Sequence, residues 1–342
     1  MQLDDRKKHI LGALVDCYVA TGEPVGSKLL AGMLEMHLSS ATIRNEMSEL
    51  AEMGLLEQPH TSAGRIPTQA GYRYYVDSLM NAYPLTKSEQ ARINVVLRID
   101  GSDLDGVLAK AGDVLAAITG CVAVSAAQRA NIRIRSVEVM PAGRRSMLIV
   151  LVASPGVLRS RLCKAGEDVD ADMLAYFSNM LREKLAGLPP EAATPELKER
   201  MNKALMQYAK ALKPVLEAVF DEIGVLGDAE VFLGGETNLF CYPEFHDGSA
   251  LEIIRFLEQR EQLSKLVDGV RGQVKVRIGT ENGADLMRSS SLIAAPYRVG
   301  GKTQGAVGII GPIRMPYAKL VSHIEYFSSV LSKLINDTFP DE

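Results

Sequence analysis

Apolar residues along the chain recur with two periods, one helical and one alternating. Over residues 4–20, Ile10, Leu11, Leu14, Val15 and Tyr18 fall on one helical face, with Asp4 and Asp5 at the end where the helix dipole favours acids. Thr21-Gly22-Glu23-Pro24 stops this helix: Gly22 suits a left-handed C-terminal position and Pro24 blocks continuation. Ser27 is the expected cap of a short second helix reaching Met33. Ser39 or Ser40 is the expected cap of a third, which is expected to bury Ile43, Met47, Leu50 and Met53 and ends at Gly54. Leu55-Leu56 then begins a strand, residues 60–67 form a tight loop, and a further helix is expected over 68–80.

Downstream, helices are expected over 85–97 and 104–119, followed by a short strand at 121–124. Residues 132–139 alternate, with Ile132, Ile134, Val137 and Val139 set against Arg133, Arg135 and Glu138, as in a half-buried strand. Residues 146–153 read as a strand buried on both faces, joined to the preceding one by a hairpin at Pro141-Ala142-Gly143. A third strand, 157–163, follows Ser154-Pro155-Gly156. From about 166 to 223 the texture turns helical, interrupted at Pro189-Pro190. Strand patterns resume at 274–278, 292–299 and 305–310, and a last helix covers 317–334. The simplest topology is an α+β domain whose sheet is split by a largely helical insertion.

At 342 residues the chain exceeds one ordinary core, so two or three domains are expected. Hydrophobic residues make up 47% and charged residues 23%, a globular balance. No apolar run approaches the ~18 residues that span a bilayer, so no membrane partner is expected. The MQLDDRKK start has charges of both signs and no apolar stretch behind it, unlike a signal peptide. Cys17, Cys121, Cys163 and Cys241 lack CxxC spacing, which fits thiols packed as small hydrophobes in a reducing, cytoplasmic setting. The net charge of −4 does not advertise a polyanion ligand. Residues 1–80 carry seven Lys and Arg against ten Asp and Glu. Residues 58–76, however, hold no acid at all and include Arg65, Arg73 and His60. Phosphate contacts are local, so the distribution decides more than the sum.

A short helix, a strand and a tight basic loop in succession are how a winged helix-turn-helix meets DNA. On the third helix, Ser39, Ser40, Thr42, Arg44 and Asn45 lie in the first two turns, and Glu46, Glu49 and Glu52 follow. Phosphates repel those glutamates, so only the N-terminal end suits a major groove. Arg44 matches guanine O6/N7 and Asn45 adenine N6/N7. Taken alone, the helix reads equally as an ordinary amphipathic one. In the loop, Gly64 and Ala63 permit close backbone approach, while Thr61, Ser62 and Arg65 supply phosphate-contact groups. His60 completes the candidate surface, although a loop histidine commonly serves a local hydrogen bond. A hairpin loop of small residues is the plainer reading of this segment.

The runs LSSATIRNEMSEL and GLLEQPHTSAGRIPTQAGYRYYVD resemble the DNA-binding region of the HrcA family of bacterial heat-inducible repressors. The resemblance continues in GGETNLFCYPEF (234–245), IGTEN (278–282) and IGPIRMPY (310–317). It departs at Pro316, where an acidic residue is expected between Met and Tyr. The resemblance implies an N-terminal winged helix and a GAF-like α+β domain interrupted by an inserted dimerisation domain. It further implies a homodimer on an inverted-repeat double-stranded DNA operator, called CIRCE, ahead of chaperone operons, with activity dependent on a GroEL-type chaperonin. The expected division is 1–82 for the winged helix-turn-helix, 83–103 for a connector and 104–165 for the first GAF-like part. Residues 166–227 are expected to form the insertion and 228–342 the second GAF-like part.

Other chemistries find little support. Gly305, Gly308 and Gly311 do not make a dinucleotide fingerprint and read as a tight strand and turn. Glu236, Glu244, His246 and Asp247 lack metal-ligand spacing and read as a structural turn. No nucleophile elbow, P-loop or HExxH is present, so no enzyme, metal or cofactor is expected. The alternative function is a metabolite-responsive transcription regulator sensing a small ligand in its GAF-like domain.

Overall fold

Asp4 opens helix α1 (Asp5–Thr21) by accepting the Lys7 backbone N–H at 2.8 Å, and Gly22 closes it at φ 74°. The computed structural model describes all residues except 1–2, 35–37, 61–63, 100–102, 128–131, 155, 227–229, 260–261, 264–265, 267–268, 301 and 340–342. Helix α2 (Ser27–Met33) differs from expectation at its start: Gly26 is the cap, and Ser27 is buried inside the first turn. Helix α3 (Ser40–Glu52) is followed by β1 (Leu56–Glu57), which pairs antiparallel with β2 (Ile66–Pro67). Helix α4 (Gln69–Tyr74) then widens into a π-helical turn, Tyr75–Leu79. Ile10, Leu11, Leu14, Leu30, Ile43 and Leu50 are fully buried among these elements.

The α-helix over 85–97 is shorter than expected. Helix α5 (Lys87–Ile93), opened by a Thr86–Glu89 capping box, tightens into a 3-10 turn at Asn94–Arg98. Helix α6 (Leu104–Thr119) follows and matches the expected span.

The main sheet has five antiparallel strands: β3 (Val122–Ala127), β7 (Glu230–Gly234), β8 (Lys275–Ile278), β9 (Ser290–Val299) and β10 (Lys302–Pro312). Their order is β7-β3-β10-β9-β8. Alternation along the strands feeds two cores. Ala123, Ile293, Val307 and Ile309 pack on one side with α6 and the C-terminal helix (Tyr317–Thr338). Val122, Val124, Leu292 and Ile310 pack on the other with Phe245 and with α10 (Ser249–Leu257). The pattern of residues 228–273 did not suggest β7 or α10. The first core runs without a break into α1, α3 and α4, so the N-terminal unit and the sheet share one apolar interior.

The insertion departs from the expected division. Strands β4 (Arg133–Pro141), β5 (Ser146–Ser154) and β6 (Val157–Lys164) form their own three-stranded sheet, not part of the main one. Both edges of β3 are taken, by β10 and by β7, which leaves β4–β6 no place beside it. They pack instead with α7 (Ala171–Leu185), α8 (Pro195–Ala204) and α9 (Ala209–Gly224) around Val137, Ile149, Leu151, Phe177, Leu181 and Val219. The inserted unit therefore begins near Ile132 rather than at 166, and it is α+β rather than mainly helical. Nor is β5 buried on both faces: Met147, Ile149, Leu151 and Ala153 are buried, whereas Leu148, Val150 and Val152 are half-buried. Phe177 is fully buried in this separate core. Phe177→Ala should cost roughly 3–5 kcal/mol of the insertion's stability. Urea denaturation checks this, and an unshifted midpoint would contradict the packing described.

Candidate nucleic-acid interface

The start of α3 is fixed by its own side chains. Ser39 Oγ accepts the Thr42 backbone N–H at 3.1 Å and lies 3.0 Å from Thr42 Oγ1. One of the two cap candidates is thereby decided, and the other, Ser40, is the first helical residue. Ile43, Met47 and Leu50 turn inward, whereas Met53, expected with them, is the C-cap residue and lies exposed. Ser39, Arg44 and Asn45 are exposed on the opposite side, and Ser40 and Thr42 are half-buried. Among the described residues, neither the Arg44 nor the Asn45 side chain meets a hydrogen-bonding or ionic partner within the chain, while the Arg44 carbonyl accepts from Ser48 Oγ at 3.1 Å.

The acids after Asn45 are placed differently from the sequence reading. Glu46 is buried and faces α1, with Arg6 Nη1 3.3 Å from its Oε1 and Lys7 Nζ 2.9 Å from its Oε2. Lys7 Nζ also lies 2.9 Å from Glu49 Oε2 and 3.2 Å from Asp4 Oδ2. Hydrogen bonding to Glu46, then to Glu49 and Asp4, holds the Lys7 ammonium above the ordinary lysine range. Of the acids that phosphate would repel, Glu46 is thus buried and paired from within, and Glu49 is paired while still exposed. Sequence reasoning missed this because Lys7 and Glu46 are neighbours only after α1 and α3 pack.

The wing stem is anchored to the chain before α2. Arg65 N donates to Val25 O, and Val25 N to Arg65 O, each at 2.9 Å. Gly64 is a glycine for an internal reason: a Cβ there would lie 2.4 Å from Val25 O. The close neighbour it permits is this chain's own backbone. At the far end of the hairpin, Thr68 Oγ1 donates to Gly54 O at 2.6 Å and ties the wing to the end of α3. Arg65 is half-buried and His60 exposed. Thr61 and Ser62 lie outside the described residues. Arg73, counted with the basic residues of this segment, turns away from the wing and binds Glu281, Asp77 and the Val276 carbonyl.

With this geometry in view, comparison with known proteins is informative. Residues 2–78 match the winged helix-turn-helix transcription repressor, HrcA DNA-binding, and residues 105–321 match the HrcA protein C terminal domain. The chain belongs to the HrcA family. The heat-inducible transcription repressor HrcA of Ruminiclostridium cellulolyticum is 37% identical over 98% of both chains. That of Thermoanaerobacter pseudethanolicus is 34% identical over the full length of both. A crystal structure of a hypothetical protein shares the fold at a TM-score of 0.65, covering 98% of this chain and 100% of that one at 21% identity. The HrcA winged helix is a DNA-binding unit, and repression is a non-enzymatic function. Among the described residues, no helix is long and apolar enough to cross a membrane.

Proposed function

We propose that this HrcA-family chain is a dimeric repressor of chaperone operons that binds a CIRCE-type inverted repeat and is modulated by a GroEL-type chaperonin. The observation that carries the reading is the exposed, unpartnered pair Arg44 and Asn45 in the first turns of α3, beside the Arg65 wing. Ser39, Ser40 and Thr42 border that pair. His60, Thr61, Ser62 and Gly64 belong to the same loop as Arg65. Arg44 and Asn45 read base edges, and Arg65 contacts phosphate or a minor groove. Residues 1–82 serve as the DNA-binding unit and 83–103 as the connector. The body and the insertion divide where the two sheets do.

Arg44→Ala and Asn45→Ala should each weaken binding to an inverted-repeat operator by about 1–3 kcal/mol, the size of a lost bidentate pair. Arg65→Ala should weaken all duplexes alike and flatten the salt dependence by about one unit. Gel shifts against scrambled DNA measure both. Parental affinity in the Arg44 and Asn45 variants would refute α3 as the reading helix.

Dimerisation is supported by an uncovered apolar face on the inserted sheet. Cross-strand pairing sets Met140, Leu148 and Leu162 in one row, and Ser136, Val152 and Leu158 in another, on the side away from α7 and α9. Met140, Leu158 and Leu162 are 45%, 44% and 66% exposed, unusual for three large apolar residues on one small sheet. A second copy of the same face covers it by two-fold symmetry, which also matches paired half-sites. Leu158→Asp with Leu162→Asp should shift sedimentation at micromolar concentration from dimer to folded monomer. A double variant that stays dimeric would exclude this face.

Chaperonin control follows if the free repressor is marginally stable, since a small change in folded supply then alters operator occupancy. Warming the repressor with and without chaperonin tests this by soluble yield and operator binding. Chaperonin should raise both; no effect on either would discard the idea.

A further inference from the structure

The DNA-binding unit meets the body along a polar seam carried by α4. Gln69 and Arg73, one turn apart, both face the turn Gly279–Asn282 that follows β8. Gln69 Nε2 donates to Thr280 Oγ1 at 2.9 Å, and its Oε1 accepts the Thr280 backbone N–H at 3.1 Å. Arg73 Nε donates to Glu281 Oε1 at 2.9 Å, Nη2 to Glu281 Oε2 and, at 2.7 Å, to Val276 O. The guanidinium thus grips the body bidentately, a geometry that fixes direction as well as distance. Gly279 sits at φ 56°, and a Cβ there would lie 2.4 Å from Gln69 Oε1. A side chain at that position would displace the Gln69 amide and strain the left-handed turn.

A second grip holds the end of α1. Arg314 Nη1 donates to Val19 O at 3.2 Å, while its Nε donates to Glu244 Oε1 at 2.6 Å. The Tyr72 and Tyr317 rings pack nearby with centroids 5.8 Å apart. The segments GGETNLFCYPEF, IGTEN and IGPIRMPY, far apart in sequence, therefore converge on the winged helix. None of these contacts uses α3, and Arg44 and Asn45 remain exposed with the seam closed.

We propose that Arg73 and Gln69, with Glu281 and Thr280, are positioning residues for operator recognition. Alongside the shared apolar interior, they fix the direction in which each winged helix sits on the body, so that a dimer presents its two reading helices at one separation and selects half-site spacing. The proposal rests on the dimeric operator binding argued above. Its physics is that of linked sites: a rigid connection gives a high effective concentration for the second half-site at one spacing only. A loosened connection gives a lower value spread over many spacings.

The test uses the full-length protein and three DNA sets: the inverted repeat, the same repeat with its spacer changed by up to about half a helical turn, and a single half-site. Arg73→Ala and Glu281→Ala should each weaken binding to the best spacing by about 10-fold. The double variant should be no weaker than either single one. Half-site affinity should stay at the parental value, and the penalty for altered spacing should shrink. A paired cysteine variant, Gln69→Cys with Thr280→Cys in a Cys163→Ser, Cys241→Ser background, supplies the rescue. Oxidised, it should restore parental affinity and spacing preference even with Arg73→Ala; reduced, it should not.

Variants that bind a working operator with the parent's affinity and spacing preference refute the seam alone. So does an equal loss on the half-site, which means that the winged helix itself is damaged. An oxidised crosslink that abolishes operator binding shows the docked arrangement to be the wrong one for DNA. A parent that binds no inverted repeat removes the dimeric reading and this proposal with it.

Discussion

The position of α3 depends on one ammonium. Lys7 reaches from α1 to Glu46 and Glu49 while Asp4 closes the group from its own helix start. Glu46 is buried, and a buried carboxylate is tolerated only when it is paired. Lys7 therefore does two things together. It lets α3 pack Glu46 against α1, and it holds Glu49, still exposed, in an ion pair on the side of the helix that follows Asn45. The stretch ahead of it, Ser39 to Asn45, exposes Arg44 and carries no acid. Net charge over the first 80 residues could not convey this, because cancellation within the fold differs from cancellation in composition.

The same principle of internal pairing sorts the basic residues. Arg65 and Arg73 are close in sequence and both lie in an acid-free run. The fold sends them to opposite duties: Arg65 stays at the wing stem with its backbone bonded to Val25, and Arg73 is taken up by Glu281 and Val276. Gly64 repeats the lesson for backbone. Its missing side chain is explained by Val25 at contact distance, without reference to any external partner.

Much of the fold was legible because its signals are local. Helix α6 and the spans of α1, α2 and α3 followed from apolar spacing and from breakers such as Gly22, Pro24 and Gly54. The start of α3 was legible too, since its cap and its exposed polar residues cluster within two turns. What escaped detection depends on long-range pairing. Nothing in the alternation of residues 132–139 says whether that strand joins β3 or builds a separate sheet; the occupied edges of β3 decide it. Strand β7 is a five-residue edge strand that ends on Gly234 with Gly235 directly after it, too short for a period to register. The half-burial of Leu148, Val150 and Val152 looked like a fully buried run because a half-exposed apolar face has the composition of a core.

The continuity of the apolar interior from α1 to the C-terminal helix bears on modularity. Ile10 and Leu50 share a single cluster with Ile293, Phe327 and Leu331, although more than 240 residues separate Leu50 from Ile293 in the chain. A DNA-reading head built this way is no detachable cassette. Cut away from the sheet, it would present bare hydrocarbon to water, so the stability of the winged helix is coupled to that of the body it rests on.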